Sequence, residues 1–94
     1  MTVESFDIQP DETRFVFGGT LHRFVFANGY GASVVCFKGT YGFQAGLWEL
    51  AVINTVEDDI DFTTSVADDV VGWLTVDDVN GYLRKIKALP SAVK

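Results

Sequence analysis

Hydrophobic and polar positions alternate along the first half of the chain, as strands require. In residues 13–17 and 20–26, aromatic and β-branched residues recur at every second position, a period typical of half-buried strands. Gly18 and Gly19 separate the two runs, and both glycines can adopt the positive φ of a two-residue turn. We therefore predict a β-hairpin with its turn at Gly18 and Gly19.

Two further strands are predicted after a second turn signal. Asn28 and Gly29 form a strong hairpin signal, because asparagine tolerates the left-handed region and glycine enters it without steric cost. Residues 30–38 then predict a third strand, and residues 47–54 predict the most apolar strand, expected to be central. The glycine-rich residues 39–46 between them are either a long loop or a short extra strand.

The spacing becomes helical in the last third of the chain. Residues 60–63 still alternate and predict a last edge strand, whereas residues 69–73 predict a short helical turn. Thr75 followed by Asp78 resembles a capping box that starts a longer helix, and Pro90 ends that helix at its C-terminus. The buried stripe of this helix is predicted to contain Val79, Leu83 and Ile86, with Tyr82 and Leu89 on the same side.

These elements predict a single α+β domain, an antiparallel β-meander of four to six strands packed by C-terminal helices. We expect residues 1–12 to form a polar N-terminal arm anchored by Phe6 and Ile8, residues 13–63 the sheet, and residues 66–88 the helical part. Five strands span about 24 Å and one helix about 10 Å, yet several strands are apolar on both sides. Either the sheet curls on itself or a second copy covers it, and we expect a homodimer.

Charge is segregated along the chain. Residues 39–83 contain no lysine, arginine or histidine but nine carboxylates, and the net charge of the whole chain is −6. Such a field repels nucleic acid and anionic membranes and favours a partner protein with a basic surface. Imitation of nucleic acid is the weaker alternative. DNA carries one charge per about 1.7 Å of its axis, and the nine carboxylates of residues 39–83 are sparse by comparison. The predicted partner-binding residues are Glu57, Asp58, Asp59, Asp61, Asp68 and Asp69.

The residue pattern does not indicate an active site or a metal centre. His22 and Cys36 are the only histidine and cysteine, and both lie in apolar strands, so we interpret them as structural. Two candidate ligands are too few for structural zinc, and the acidic residues 57–61 lack the spacing of a calcium loop. The sequence therefore predicts no enzymatic activity, no catalytic residue, no metal site and no cofactor.

Three observations favour a cytoplasmic protein. A lone cysteine suits a reducing compartment, and no run of about 18 apolar residues predicts a membrane-spanning helix. The first residues also lack the basic start and apolar stretch of a secretory signal. We expect the protein to be cytoplasmic.

Three stretches of the chain resemble a group of small uncharacterised proteins encoded by bacteriophages and prophages. They are residues 26–35 (FANGYGASVV), residues 46–52 (GLWELAV) and residues 68–75 (DDVVGWLT), within a pattern that extends over residues 22–86. The family has no assigned activity and therefore no catalytic residues to transfer. The resemblance implies a phage accessory protein that acts in the cytoplasm of the bacterial host.

Charge and resemblance together predict a phage-encoded protein that binds a host protein. Inhibition of a nucleic-acid-handling defence system, as by an anti-CRISPR protein, is one form of this role. The alternative is a self-associating structural or assembly-related phage protein without catalytic activity.

Overall fold

The computed structural model describes residues 6–16, 18–57, 59–60, 64 and 70–91. These residues form one antiparallel sheet with one α-helix packed on it, which confirms the predicted α+β meander. A short 3-10 helix, Phe43–Ala45, precedes the fourth strand. The other elements are β1 (Glu12–Val16), β2 (Gly19–Val25), β3 (Tyr30–Cys36), β4 (Trp48–Asn54), β5 (Asp59–Ile60), β6 (Val71–Leu74) and α1 (Val76–Lys87).

Strand β4 organises the sheet. Strands β1 to β5 are neighbours in chain order, and β6 pairs with β4 on the same side as β5. The two short strands occupy different ends of β4, because Ile53 pairs with Ile60 whereas Trp48 pairs with Leu74. Strand β4 is therefore paired on both edges, as expected for the most apolar strand.

Strand β6 corrects the prediction of a helical turn at residues 69–73. Within the described residues, Val71–Leu74 is a strand, and the helical part begins at Val76; residues 65–69 lie outside the described part. Local helix preference is weak here, because the segment contains β-branched valines and Gly72. The open edge of β4 supplies partners for the backbone N–H and C=O groups, and this decides in favour of the strand.

The first hairpin turn lies one residue earlier than predicted. Val16 pairs with Gly19, so Gly19 belongs to β2, and Gly18 carries the positive φ of 76°. A Cβ on Gly19 would overlap the carbonyl oxygen of Cys36, which explains why a glycine stands within the strand. Of the predicted edge strand at residues 60–63, the described part is the end of β5, and residues 61–63 lie outside it.

The segment between β3 and β4 is a loop that contains the 3-10 helix, which resolves the two alternatives for residues 39–46. The third strand ends at Cys36, two residues before the predicted end. Thr40 causes this early end, because its Oγ1 accepts a hydrogen bond from Phe37 N at 3.1 Å and donates one to Phe37 O at 2.8 Å. Such local bonds replace those of the sheet.

The turn between β2 and β3 contains the predicted Asn28 and Gly29, and it is one residue longer than a two-residue turn because it also includes Ala27. Phe26 N donates to the carbonyl oxygen of Tyr30 at 2.8 Å, and Gly29 has a φ of 86°. The side chain of Asn28 closes the turn, because its Oδ1 accepts a hydrogen bond from Tyr30 N at 3.0 Å. Gly29 supplies the left-handed residue of this turn, and Asn28 supplies a side-chain bond.

The amide group of Asn28 also binds the C-terminal end of α1. Its Nδ2 lies 2.9 Å from the carbonyl oxygen of Ile86, 3.2 Å from that of Lys87 and 3.1 Å from that of Leu89. The last carbonyls of a helix have no partner within the helix, so a side-chain donor from another element satisfies them. One asparagine thus joins a hairpin turn to a helix that begins almost fifty residues later.

The core lies between α1 and the facing side of the sheet. Thr75 Oγ1 accepts from Asp78 N at 3.2 Å, and Asp78 Oδ2 accepts from Thr75 N at 3.0 Å, which confirms the capping box. Of the predicted stripe, Val79, Leu83 and Ile86 are buried, whereas Tyr82 and Leu89 are half-buried against the core. The other fully or nearly fully enclosed side chains of the core are Phe24, Ala32, Val34, Leu50, Val52 and Leu74.

The N-terminal arm completes this core through Phe6. Its side chain is 2% exposed, and its ring centroid lies 5.6 Å from that of His22, 6.0 Å from that of Phe24 and 5.3 Å from that of Trp48. All three contacts are edge-to-face, the arrangement favoured by the ring quadrupoles. The expected anchoring role of Phe6 is therefore confirmed.

Polar contacts attach the same arm to α1. Asp7 N donates to Oδ1 of the buried Asn80 at 3.0 Å, and Arg84 Nη1 lies 3.0 Å from Asp7 Oδ2. The ion pair is exposed and contributes little stability. The bond to Asn80 is partly buried and sets the position of the chain next to Phe6. Within the described residues, α1 is the longest helix, and none is long and apolar enough to cross a membrane.

We predict that replacing Asn28 by Ala lowers the free energy of unfolding by about 1–3 kcal/mol, because helix carbonyls lose a partly buried donor. Chemical denaturation measures this change. Asn28→Asp is the matched variant: it keeps the acceptor for Tyr30 N but turns a carboxylate towards the helix carbonyls, so it should destabilise at least as much. A loss below about 0.5 kcal/mol in both variants would show that the cap is dispensable.

Candidate binding surfaces

The predicted acidic surface is described only in part. Glu57 is exposed in the turn after β4, where its backbone N donates to Asn54 Oδ1 at 3.1 Å. Asp59 lies in β5, with its backbone opposite Asn54. The remaining members of the set lie outside the described residues: Asp58, Asp61, Asp68 and Asp69.

Other carboxylates of the cation-free segment have structural roles. Glu49 Oε2 accepts a hydrogen bond from Tyr41 N at 2.7 Å, which attaches the loop before β4 to that strand. Asp78 forms the capping box, and Asp77 stands beside it in the first turn of α1, where negative charge is favourable. Part of the acidity therefore has a local explanation that requires no partner.

Exposed apolar side chains are concentrated in the same segment. In the described part of the chain, six large apolar residues are exposed, and four of them fall within residues 39–83. These four are Tyr41, Val56, Ile60 and Trp73, and the other two are Phe15 and Val25. The cation-free segment thus combines carboxylates with exposed apolar and aromatic side chains.

Tyr41 and Trp73 lie together at one edge of the sheet, beside the half-buried Phe43. We call these three residues the aromatic corner; they line a depression of about 380 Å³. Tyr41 is 63% exposed and Trp73 is 61% exposed. Sequence analysis did not identify this cluster, because the loop and β6 lie far apart in the chain. The one available signal was that each of these two residues neighbours a glycine.

The backbone of Trp73 is strained. Its φ is +60°, a left-handed value that costs a residue with a Cβ about 1–2 kcal/mol. The cause is a β-bulge: Trp48 pairs with Leu74 and Leu50 pairs with Val71, so Gly72 and Trp73 together stand opposite Glu49. Strain of this kind persists where the surrounding structure imposes it, and it often accompanies a ligand site.

The sheet face opposite α1 forms a second candidate surface, which we call the far face. Its floor is apolar, because side chains that alternate with the core residues point to this side. It contains a groove of about 450 Å³, with the floor made by Leu21, Val35, Ala51 and Ile53. Charged residues of both signs line the groove as well, namely Glu12, Arg14, Arg23 and Glu49. Arg14 Nη2 lies 3.0 Å from Glu12 Oε1.

His22 is buried on the core side of β2. Its Nδ1 lies 2.8 Å from Thr13 Oγ1, and its ring packs against Phe6 and against Trp48, at 5.4 Å from the Trp48 centroid. Burial lowers the pKa of His22, because the charged form loses hydration without a compensating carboxylate. The geometry agrees with the structural interpretation of this residue.

Cys36 lies at the end of β3, opposite Thr20, whereas His22 lies opposite Val34. Burial raises the pKa of the Cys36 thiol, which disfavours the reactive thiolate. Among the described residues, no three His, Cys, Asp or Glu side chains are grouped closely enough to hold a metal ion.

Comparison with known proteins does not assign the chain to a family. No protein-family profile, curated protein or solved structure matches it.

The burial of His22 predicts an acid-sensitive fold. Because its pKa is lowered in the folded chain, the unfolded chain takes up the proton more readily below pH about 6.5. The contribution of neutral His22 to the free energy of unfolding should therefore be fully present at neutral pH. The free energy of unfolding should decrease as the pH falls below that value. An NMR titration of this single histidine measures the effect directly, and a midpoint at or above 6.5 would contradict it.

Proposed function

We propose that this protein is a non-catalytic binding protein of the phage accessory kind that its sequence resembles. Its partner is a host protein with a basic surface, and it acts in the cytoplasm of the bacterial host. Inhibition of a nucleic-acid-handling defence system is one form of this role, since proteins that handle nucleic acid carry basic surfaces.

One observation carries the proposal: among the described residues, the segment without cations holds four of the six exposed large apolar side chains. Protein interfaces combine aromatic anchors at the centre with a polar rim, and electrostatic complementarity increases the association rate. Exposed Tyr41 and Trp73 are residues of the anchor type. Glu57 follows the opposite end of β4 from these two rings, and with its acidic neighbours in the sequence it supplies negative charge that steers a basic partner.

The proposal predicts that partner binding depends on the six acidic residues. The partner is first identified by affinity capture from a host lysate, and its association with the purified protein is then measured at increasing salt. The association rate of the wild type should fall as the Debye length shrinks below about 10 Å. Joint replacement of Glu57 by Gln and of Asp58, Asp59, Asp61, Asp68 and Asp69 by Asn should abolish capture while leaving the melting temperature nearly unchanged.

Neutralisation of basic residues provides the control. Lys85 and Lys87 are exposed near the end of α1, and their joint replacement by Gln should slightly weaken the helix end without loss of the partner. If the six-fold variant binds the partner with unchanged affinity at physiological salt, the acidic residues do not form the binding surface.

The far face favours a second candidate function, self-association without catalysis. Its apolar groove is large enough to receive side chains from another copy. Charges of both signs around the groove suit a two-fold interface, in which an acid of one copy can meet a base of the other. Glu12 and Arg14 on β1 are such a pair of opposite charges.

For this candidate we expect a homodimer in sedimentation equilibrium at micromolar concentration. Replacing Val35 by Glu places a charge on the floor of the groove and should produce a monomer. Val56→Glu, at an exposed position in the turn after β4, is the matched control and should remain dimeric. A monomeric wild type across the concentration range would exclude self-association through the far face.

A further inference from the structure

We propose that the aromatic corner binds an arginine-bearing segment of the partner, with the guanidinium stacked between Tyr41 and Trp73. The inference rests on the proposed function and specifies it further, since it names the side chain that a basic partner contributes. Arginine stacks on aromatic faces by a cation–π interaction, and its planar group is more weakly hydrated than an ammonium group.

The backbone imposes the exposure of these two rings. The loop and β6 approach each other closely at glycines: a Cβ on Gly42 would lie 3.2 Å from the Cα of Trp73, and one on Gly72 would overlap the Tyr41 side chain. Any larger residue at either position would push the loop and the strand apart. Tyr41 and Trp73 are thus held on adjacent backbone segments with their side chains in solvent.

The strain at Trp73 supports a role in binding. A tryptophan gains most from burial, yet here it occupies a left-handed position and remains 61% exposed. Packing inside this chain therefore does not account for the residue. Glycine is the usual residue at a left-handed bulge position and would remove the strain. The large exposed ring is the feature that glycine would not supply.

The negative charge of the segment that carries the aromatic corner favours a cationic occupant. The Glu49 carboxylate accepts a hydrogen bond from Tyr41 N at 2.7 Å, and the backbone of Glu49 stands opposite Gly72 and Trp73 in the bulge. Asp77 and Asp78 follow Trp73 within five positions and begin α1. These three acids do not line the depression, but they belong to residues 39–83, a segment that contains nine carboxylates and no cation.

One base, Lys38, lines the depression and makes the sign of the occupant's charge testable. Its side chain is exposed at the rim, and it is the one charged residue among the described residues that line the depression. For a cationic occupant, Lys38 is a like charge that weakens binding. For an anionic occupant, such as a nucleotide phosphate, Lys38 would be a ligand.

The test uses the whole chain labelled with 5-fluorotryptophan. The chain contains two tryptophans and therefore gives two fluorine NMR signals, which the variant Trp73→Phe assigns. The probe is a capped glycine-serine peptide with two arginines, and its control carries citrulline at both positions. The Trp73 signal should shift and saturate with the arginine peptide while the Trp48 signal stays in place. The citrulline peptide should bind at least about fivefold more weakly, because it keeps the shape and loses the charge.

Lys38→Gln should tighten binding of the arginine peptide by about twofold to fivefold, the range of an exposed charge contact. Weaker binding in this variant, equal affinity for the citrulline peptide, or no shift of the Trp73 signal would each overturn the proposal. Since Lys38 is exposed, its replacement leaves the fold intact.

A double variant separates the failure of this inference from the failure of the proposed function. Tyr41→Ser with Trp73→Ser should reduce the affinity for the captured partner at least about tenfold, as for aromatic anchors of an interface. Phe15→Ser is the matched control. Phe15 is 71% exposed on β1, and its replacement should not change the affinity for the captured partner. If the double variant binds the partner normally while the six-fold acidic variant does not, the aromatic corner is excluded and the acidic binding function stands.

Discussion

A helix of twelve residues, about 18 Å long and 10 Å wide, must cover one face of a sheet whose five strands span about 24 Å. The helix packs against β3, β4 and β6. Phe6 fills the adjoining space over β2 and the start of β4, where it meets His22, Phe24 and Trp48. The arm is therefore part of the core, because the helix alone is too narrow.

The same constraint explains why both ends of α1 are secured. The capping box of Thr75 and Asp78 holds its first turn directly after β6, and Asn28 binds the carbonyls at its other end. A helix that rotated or slid would uncover Val34 and Leu50, which are fully buried beneath it. The hairpin turn thus orients the helix, and the helix in turn excludes water from the sheet.

The described carboxylates differ in whether they take part in the hydrogen bonds of the fold. Glu49 and Asp78 bind backbone N–H groups, so their negative charge has structural use. Glu57 is exposed in a turn, and its hydrogen bond to Asn54 is made by its backbone N and not by its carboxylate. The far face differs from the acidic segment, since both arginines and glutamates line its apolar groove. Two surfaces of different chemistry suit two different kinds of association.

Local patterns by themselves determined strands β1 to β4, a turn at Asn28 and Gly29, and the capped helix, because strand alternation, turn geometry and capping depend on residues close in sequence. Only the tertiary structure decided that Val71–Leu74 is a strand, because the edge of β4 satisfies its backbone. Tertiary structure also placed Asn28 at the end of α1 and brought Tyr41 beside Trp73. These contacts join residues more than twenty positions apart, and no periodicity or local motif encodes such pairings.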